Sequence, residues 1–212
     1  MKKIIVVTST FPKSDDDKVP AFVRDQIINL KSQYKDLNFH VLVPNYSDKI
    51  IIQKLEDFEE IRYHYFWPRR YEKLAGRGIL PSLKENKLRY FLIPFFVLSQ
   101  LINLIILTKK VKPDVIYAHW FTPQAITTSI VSILFGVPFV FTTHAQDVII
   151  LKKIPFFGKR IANFVVKRAT AWTSDSKMTE ESLKNTIDQK YYKKEKGLVV
   201  PMPINDTKYS NI

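Results

Sequence analysis

The stretch DVIYAHWFTPQAITTSIVSILFGVPFVFTTHAQD, Asp114 to Asp147, decides the fold. It opens on a short apolar run, Asp114–His119. Gln124–Phe135 then carries a helical pattern and ends at Gly136, a residue type that closes helices because it accepts left-handed backbone. A second apolar run follows, Pro138–Thr143, in which Phe139 to Thr142 read as a buried strand. Strand, helix and strand within about 30 residues make a βαβ unit, whose strands lie parallel. The chain then turns polar at once, with Thr143, His144, Gln146 and Asp147.

The same alternation extends in both directions. Lys3–Val7 is a strand, a helix opens at Pro20 and runs through Ile27, Ile28 and Leu30, and Phe39–Val43 is a second strand. Arg62–Phe66 reads as a third, with alternating character. Pro94 suits the first turn of a long apolar helix. Beyond Asp147 come a basic amphipathic helix, Lys159–Ala169, a short strand, Ala171–Thr173, and a helix Lys177–Ile187 that Ser176 can cap. Gly197–Val200 closes the series. Continuous Val, Ile and Phe runs are the mark of parallel strands covered on both faces. The fold class is therefore α/β, a doubly wound, Rossmann-like parallel sheet over residues 1–200. The turn-rich tail 201–212 carries no further core pattern.

Composition narrows the chemistry. The 212 residues are 46% hydrophobic and 25% charged, an ordinary globular balance. There is no cysteine, so disulfides, thiolate zinc sites and thiol nucleophiles are excluded, and a reducing compartment fits. At the N-terminus the apolar run Ile4–Val7 falls short of the roughly 7–15 residues of a secretory core, so a cytoplasmic location is expected. Leu88–Lys110 has the length of a membrane span, about 20 residues. Pro94 interrupts it, and Ser99, Gln100 and Asn103 give it a narrow polar stripe. A buried or interfacial helix is the leading reading, beside a membrane-surface helix and a true span.

The net charge is +13. Such a balance points to an anionic partner: nucleic acid, an anionic membrane face or phosphorylated substrates. From Val148 to Thr173 there are six cations and no acid. A second basic stretch, WPRRYEKLAGRG, sets Trp67 and Tyr71 among Arg69, Arg70, Lys73 and Arg77. Arg69 and Arg70 are candidate contacts for phosphate or an anionic leaflet; plain solubility is the alternative.

An open parallel sheet binds ligands outside the carboxyl ends of its strands. That rim gathers Thr8–Pro12, His119 and Trp120, Thr143–Asp147, and Ser174–Ser176. His119 beside Trp120 offers a donor next to a stacking platform, which suits carbohydrate or an aromatic ligand; a Trp that merely packs the rim is the alternative. His144 suits a donor, a general base or a charge stabiliser, or serves loop backbone groups alone. Asp147 suits pairing with His144, acceptance from a sugar hydroxyl, or capping of the next helix. The first loop, TFPKSDDDKVP, has no glycine, and neither dinucleotide nor P-loop glycine motif occurs. A dinucleotide site of the usual kind is thus disfavoured. No histidine pair has ligand spacing on one helix, and no G-x-S-x-G elbow occurs.

These residues carry a resemblance. The block from Lys112 to Val148 resembles the central segment of family-4, GT-B-type glycosyltransferases, "kPDviHaHw…P…" followed by "G.P.v.T.HG.D". Asp114, His119, Trp120, Pro123, Gly136, Pro138, Thr143, His144 and Asp147 match it. FPKSDDDKVPAFVRDQIINL is similar to the family's opening, "FP…G.FV..Q…L". YFWPRRYEKLAGRGILPSLKENK resembles a segment of members that build polysaccharides, and VVPMPIND the junction that ends the N-terminal domain. Tyr117 stands where the first histidine of "HaH" is usual, Ala145 where glycine is frequent, and Lys13, Ser14 and Asp15–Asp17 fill a loop that is often glycine-rich.

The resemblance implies an enzyme that moves a sugar from a nucleotide diphosphate donor with retention of configuration, without metal or other cofactor. The acceptor is then a polysaccharide or lipid-linked sugar, and the protein is cytoplasmic, peripheral at the inner membrane face. His144 takes the catalytic place beside the donor sugar. Thr10, Phe11, Pro12 and Lys13 approach the diphosphate, and His119, Trp120, Thr143, Gln146, Asp147, Arg69, Arg70, Ser174 and Ser176 are the other candidate substrate contacts. Residues 1–200 are the acceptor-binding domain and 201–212 the start of a linker. The nucleotide-sugar domain, absent from the sequence, is expected in cis or in trans, and without it transfer is not expected. No nucleic-acid partner is expected on this reading. The alternative is a non-catalytic basic module that holds a polyanion or nucleic acid.

Overall fold

The computed structural model describes residues 1–14, 17–46, 52–54, 57–76, 78–152, 154 and 156–201, with backbone alone for 52–54, 145, 146 and 149. Asp15 and Asp16, Arg77, Lys153 and, beyond Pro201, the rest of the expected linker 201–212 lie outside the described residues. Among the described residues, eight strands form one sheet: β1 Lys2–Val7, β2 Leu37–Pro44, β3 Ile52–Lys54, β4 Phe58–Tyr63, β5 Val115–His119, β6 Phe139–Thr143, β7 Ala171–Ser174 and β8 Gly197–Val199. Their order is β3-β4-β2-β1-β5-β6-β7-β8. All pairings are parallel except that of β3 with β4. The chain leaves β1 towards β2 on one side and returns to β5 on the other, so the switch point lies between β1 and β5.

Helices cover both faces, as a doubly wound fold requires. On one face lies α1 (Phe22–Gln33), whose Val23 and Ile27 pack with Val6, Phe39, Val41 and Phe58. The other face carries α3 (Ile93–Val111), α4 (Ile126–Phe135), α6 (Phe157–Arg168) and α7 (Lys177–Thr186). Their Leu104, Val131, Val165 and Leu183 join Ile5, Ile116, Phe139 and Trp172 in the larger core. Two short helices complete the set, α2 (Ile79–Glu85) and α5 (Ala145–Lys152). Pro94 sits in the first turn of α3, where its missing N–H costs nothing, and Gly136 closes α4 at φ 67°.

The strand expected at Arg62–Phe66 is β4, and its bounds differ from expectation. It is Phe58–Tyr63, not Arg62–Phe66, in register with Phe39–Pro44. Its sequence, FEEIRY, looks polar, yet Glu60 and Arg62 are buried as an ion pair. Beyond it the chain leaves the sheet. The backbone N–H groups of Tyr65 and Phe66 donate to the buried Glu72 carboxylate, at 2.5 and 2.9 Å.

Candidate functional site

The site is assembled where β1, β5, β6 and β7 end. Trp120 follows β5 at φ 74° and ψ 143°, a conformation that a bulky residue keeps only when its surroundings hold it. Here its N–H donates to the Thr142 carbonyl at 2.9 Å, and its carbonyl accepts from Ala125 at 3.2 Å. The indole is thereby laid against the His144 imidazole, with ring centroids 5.0 Å apart. Phe22, the first residue of α1, closes on both rings, at 5.6 Å from Trp120 and 5.7 Å from His144.

His144 is buried, and its Nδ1 lies 3.3 Å from an oxygen of Asp175 in the loop after β7. Its Nε2 is buried with no hydrogen-bond partner. Burial lowers its pKa, and the Asp175 carboxylate opposes that shift. The imidazole is therefore neutral at pH 7. With Nδ1–H directed to Asp175, Nε2 is left as an acceptor. His119 is buried more deeply, with neither ring nitrogen partnered, and burial pushes its pKa down to about 3. It is a neutral wall beneath Phe22 and Tyr117, at 6.5 and 4.4 Å.

Asp147 lies at the foot of this cluster, turned inward. Its carboxylate accepts from the N–H of Phe121 at 2.5 Å, the hydroxyl of Thr143 at 2.9 Å and the N–H of His144 at 3.2 Å. It ties the β5 loop to the β6 loop and sits in the first turn of α5. Burial raises its pKa to about 7, against these hydrogen bonds. Ser174 is also turned inward and donates to Glu180 at 2.5 Å. Ser176 caps α7 by accepting from the Thr179 N–H at 3.2 Å. The side chain of Gln146 lies outside the described residues.

The first loop forms the opposite wall. The hydroxyl of Thr8 donates to the Thr10 carbonyl at 3.2 Å, and Thr10, Phe11 and Pro12 are buried. Arg62, buried beneath, donates to the carbonyls of Phe11 and Pro12 at 3.1 and 3.2 Å. Lys13 sits 3.7 Å from the centre of the Tyr46 ring, whose hydroxyl meets Asp17 in a short hydrogen bond. Asp17, Lys18 and Tyr46 line a polar cleft of about 530 Å³ with Lys73, Ser82 and Arg89. Arg69 and Arg70 lie in an exposed turn after β4, four strand spacings or about 19 Å of sheet from β6. They belong to a different part of the rim from His144.

The rim thus unites Trp120, His144, Thr143, Asp147 and the Thr10–Lys13 loop at the switch point. Asp175, Phe22 and Arg62 are neighbours of the candidate site that the sequence reading missed. Only Asp175 left a trace, as the carboxylate between two serines already assigned to the rim. Among the described residues, no group of three His, Asp or Glu side chains converges as a metal ligand set.

A doubly wound sheet whose loops gather at this rim is a Rossmann-like domain. Comparison bears this out. Residues 70–176, half of the chain, match the family described as glycosyl transferase 4-like. The chain belongs to this glycosyltransferase family, and its fold is that of the N-terminal domain of a GT-B enzyme. Sucrose-phosphate synthase from Thermosynechococcus elongatus is similar at 13% identity and a TM-score of 0.58, over 96% of this chain and 91% of that one. An α,α-trehalose-phosphate synthase (UDP-forming) from Burkholderia vietnamiensis follows at 11% identity and 0.55, over 90% of this chain and 43% of that one. UDP-GlcNAc 2-epimerase from Neisseria meningitidis, bound to UDP-GlcNAc, is similar at 11% identity and 0.52, over 93% and 45%. The chain thus spans less than half the length of the last two. No curated sequence matches.

Proposed function

We propose that this domain is the acceptor-binding half of a retaining glycosyltransferase, and that His144 stands at the reaction centre. The observation that carries the reading is the imidazole locked between Trp120 and Phe22, with Asp175 on Nδ1 and an unpartnered Nε2. A neutral imidazole so held presents a lone pair to a hydroxyl or N–H of a bound ligand and needs no reorganisation to do so. The Thr10–Lys13 loop faces the donor diphosphate, with Lys13 as its charge. The polar cleft beside it, with both cations and carboxylates among its walls, suits the hydroxyls of a sugar acceptor, in a polysaccharide or on a lipid carrier. The donor is a nucleotide sugar that a second domain holds, and no metal takes part. Without that domain the leaving diphosphate lacks stabilisation, so transfer by residues 1–212 alone is not expected.

The test is transfer from UDP-glucose, UDP-GlcNAc and GDP-mannose to a polysaccharide or lipid extract. The chain is assayed alone and joined to a nucleotide-sugar domain. Product is expected only with both domains, with the donor's anomeric configuration kept. His144→Ala should lower turnover by about 10²–10⁴, the range of a lost acid–base or positioning group. Turnover that survives His144→Ala sinks the assignment. Epimerisation of free UDP-GlcNAc without transfer would instead place the protein with the epimerases that share its fold.

A further inference from the structure

The outer face of α3 is apolar where a water-facing helix is polar. The turn Lys87–Leu92 leads straight into α3, and together they form a 25-residue helical segment with a mean hydropathy of 2.2 over its most apolar window, only a third of which is buried. Phe91, Phe95, Leu98, Ile102 and Ile106 are exposed, Phe91 by 68% and Ile106 by 59%. Their spacing of four, three, four and four residues sets them along one side. Of the polar residues, Gln100 faces the other way, while Ser99 and Asn103 lie half-buried at the margin of the row, with Asn103 donating to the Ser99 carbonyl at 2.8 Å. Gln100 is buried and donates to Thr127 at 2.5 Å, and Tyr63 donates to Gln100 at 3.3 Å. The helix cannot cross a bilayer, because Phe96, Gln100, Leu104 and Val111 pack it onto the sheet as the crossover from β4 to β5.

Charge and aromatic residues frame the stripe. Exposed Lys84 and Lys87 precede it, and exposed Lys109, Lys110 and Lys112 follow. No acidic residue occurs from Asn86 to Pro113. The nearby Glu85 is paired with Arg89 at 2.8 Å. At the amino end Trp67 is 81% exposed beside Arg69 and Arg70, and Phe66 contacts Phe91 and Phe95 at 6.5 and 5.1 Å. Tyr71 and Tyr90 are exposed there too. An exposed apolar row, flanked by cations and an amphipathic aromatic end, matches a bilayer interface with acidic headgroups. A second copy fits poorly. A two-fold contact through α3 sets lysines of one chain against lysines of the other in either orientation.

We propose that α3, with the Trp67–Tyr71 turn, is a docking surface for an anionic lipid bilayer. The helix lies flat on the membrane, and its amino end comes from the rim where β4 closes. The polar cleft shares Ser82 and Arg89 with this region, so docking brings the cleft to the lipid surface. The basic helix α6 is less suited to this role. Its Ala162, Val165 and Val166 are in the core, and Lys159 is paired with Asp188 at 2.6 Å. The docking surface stands whether or not the sugar-transfer reading holds, because its test uses no sugar.

The test is co-sedimentation of the chain with vesicles of mixed phosphatidylcholine and phosphatidylglycerol, against phosphatidylcholine alone, at low and moderate salt. Binding to the anionic vesicles is expected, with a blue shift of tryptophan emission that Trp67→Phe removes; Trp172 is already buried. The triple change Leu98→Ser, Ile102→Ser and Ile106→Ser should weaken binding about tenfold or more, from the apolar area withdrawn. Its unfolding midpoint should match the parent's, since all three side chains are exposed. Equal binding to neutral vesicles, no binding, or full binding by the folded triple variant overturns the proposal. A concentration-dependent dimer that the triple change dissolves assigns the face to a second copy and overturns it as well.

Discussion

Two buried groups at the site pull the stability of the protein in opposite directions with pH. Asp147 has an ordinary pKa of 3.8 and about 7 in the fold, so the folded state holds its proton more tightly. Its contribution is full below 3.8 and is lost as pH rises towards 7. His119 has an ordinary pKa of 6.5 and about 3 in the fold, so the unfolded state holds its proton more tightly. Stability from this group is lost as pH falls from 6.5 towards 3. His119→Phe removes the second dependence and two unpartnered nitrogens at once. Thermal unfolding between pH 3 and 8 should show the variant gaining on the parent as pH falls below 6.5. A constant difference across that range would show that His119 is not buried neutral. Asp175→Asn tests the partner of His144. It removes the charge that raises the imidazole pKa, so an NMR titration should find His144 titrating lower than in the parent.

At the scale of elements, the junction of α5 and α6 leaves no room for a side chain at Gly158. Gly158 lies in the first turn of α6, and a Cβ there would fall on the Leu151 carbonyl, a backbone atom at the end of α5. Gly158→Ala must therefore displace a helix. Urea unfolding should show a loss of about 1–3 kcal/mol, the usual cost of overpacking. The same junction shows why α5 was hard to read. Its eight residues, AQDVIILK, look like an extension of the polar loop followed by a strand-like apolar run. Its start is set instead by Asp147, which accepts from donors on two loops. The strand β4 escaped for a related reason. Glu60 and Arg62 alternate with Ile61 and Tyr63, and only the first-loop carbonyls that Arg62 serves explain why they are inside. By contrast β1, β2, β5 and β6 were legible, because Val, Ile and Phe runs buried on both faces need no partner to announce them.

Across the whole molecule the charge is lopsided. The net charge is +13, and from Asn86 to Thr173 the only acidic residues are Asp114 and the buried Asp147. Asp114 is spent on the N–H of Lys3 at 2.7 Å. A compact chain with so little compensation repels itself. Its unfolding temperature should rise when salt is added from about 10 mM to 0.2 M, as the screening length shortens. A temperature that falls or stays level would mean that local pairing already cancels the excess.

Local pattern alone specifies the parallel α/β sheet, the side on which its loops gather, and the residues Trp120, His144 and Thr10–Lys13 that meet there. Strand and helix periods follow from local burial, and the rim follows from strand direction alone. Which polar residues of the rim are left open and which serve the fold is set by contacts between distant segments. Asp147, Ser174 and Ser176 look as available as His144 in the sequence, yet each is consumed by a backbone or side-chain donor or acceptor. Asp175 becomes a partner of His144 only because β7 pairs beside β6. In the same way, which side of α3 meets water depends on its packing against the sheet. Hydrogen bonds between residues distant in the chain leave no period to read.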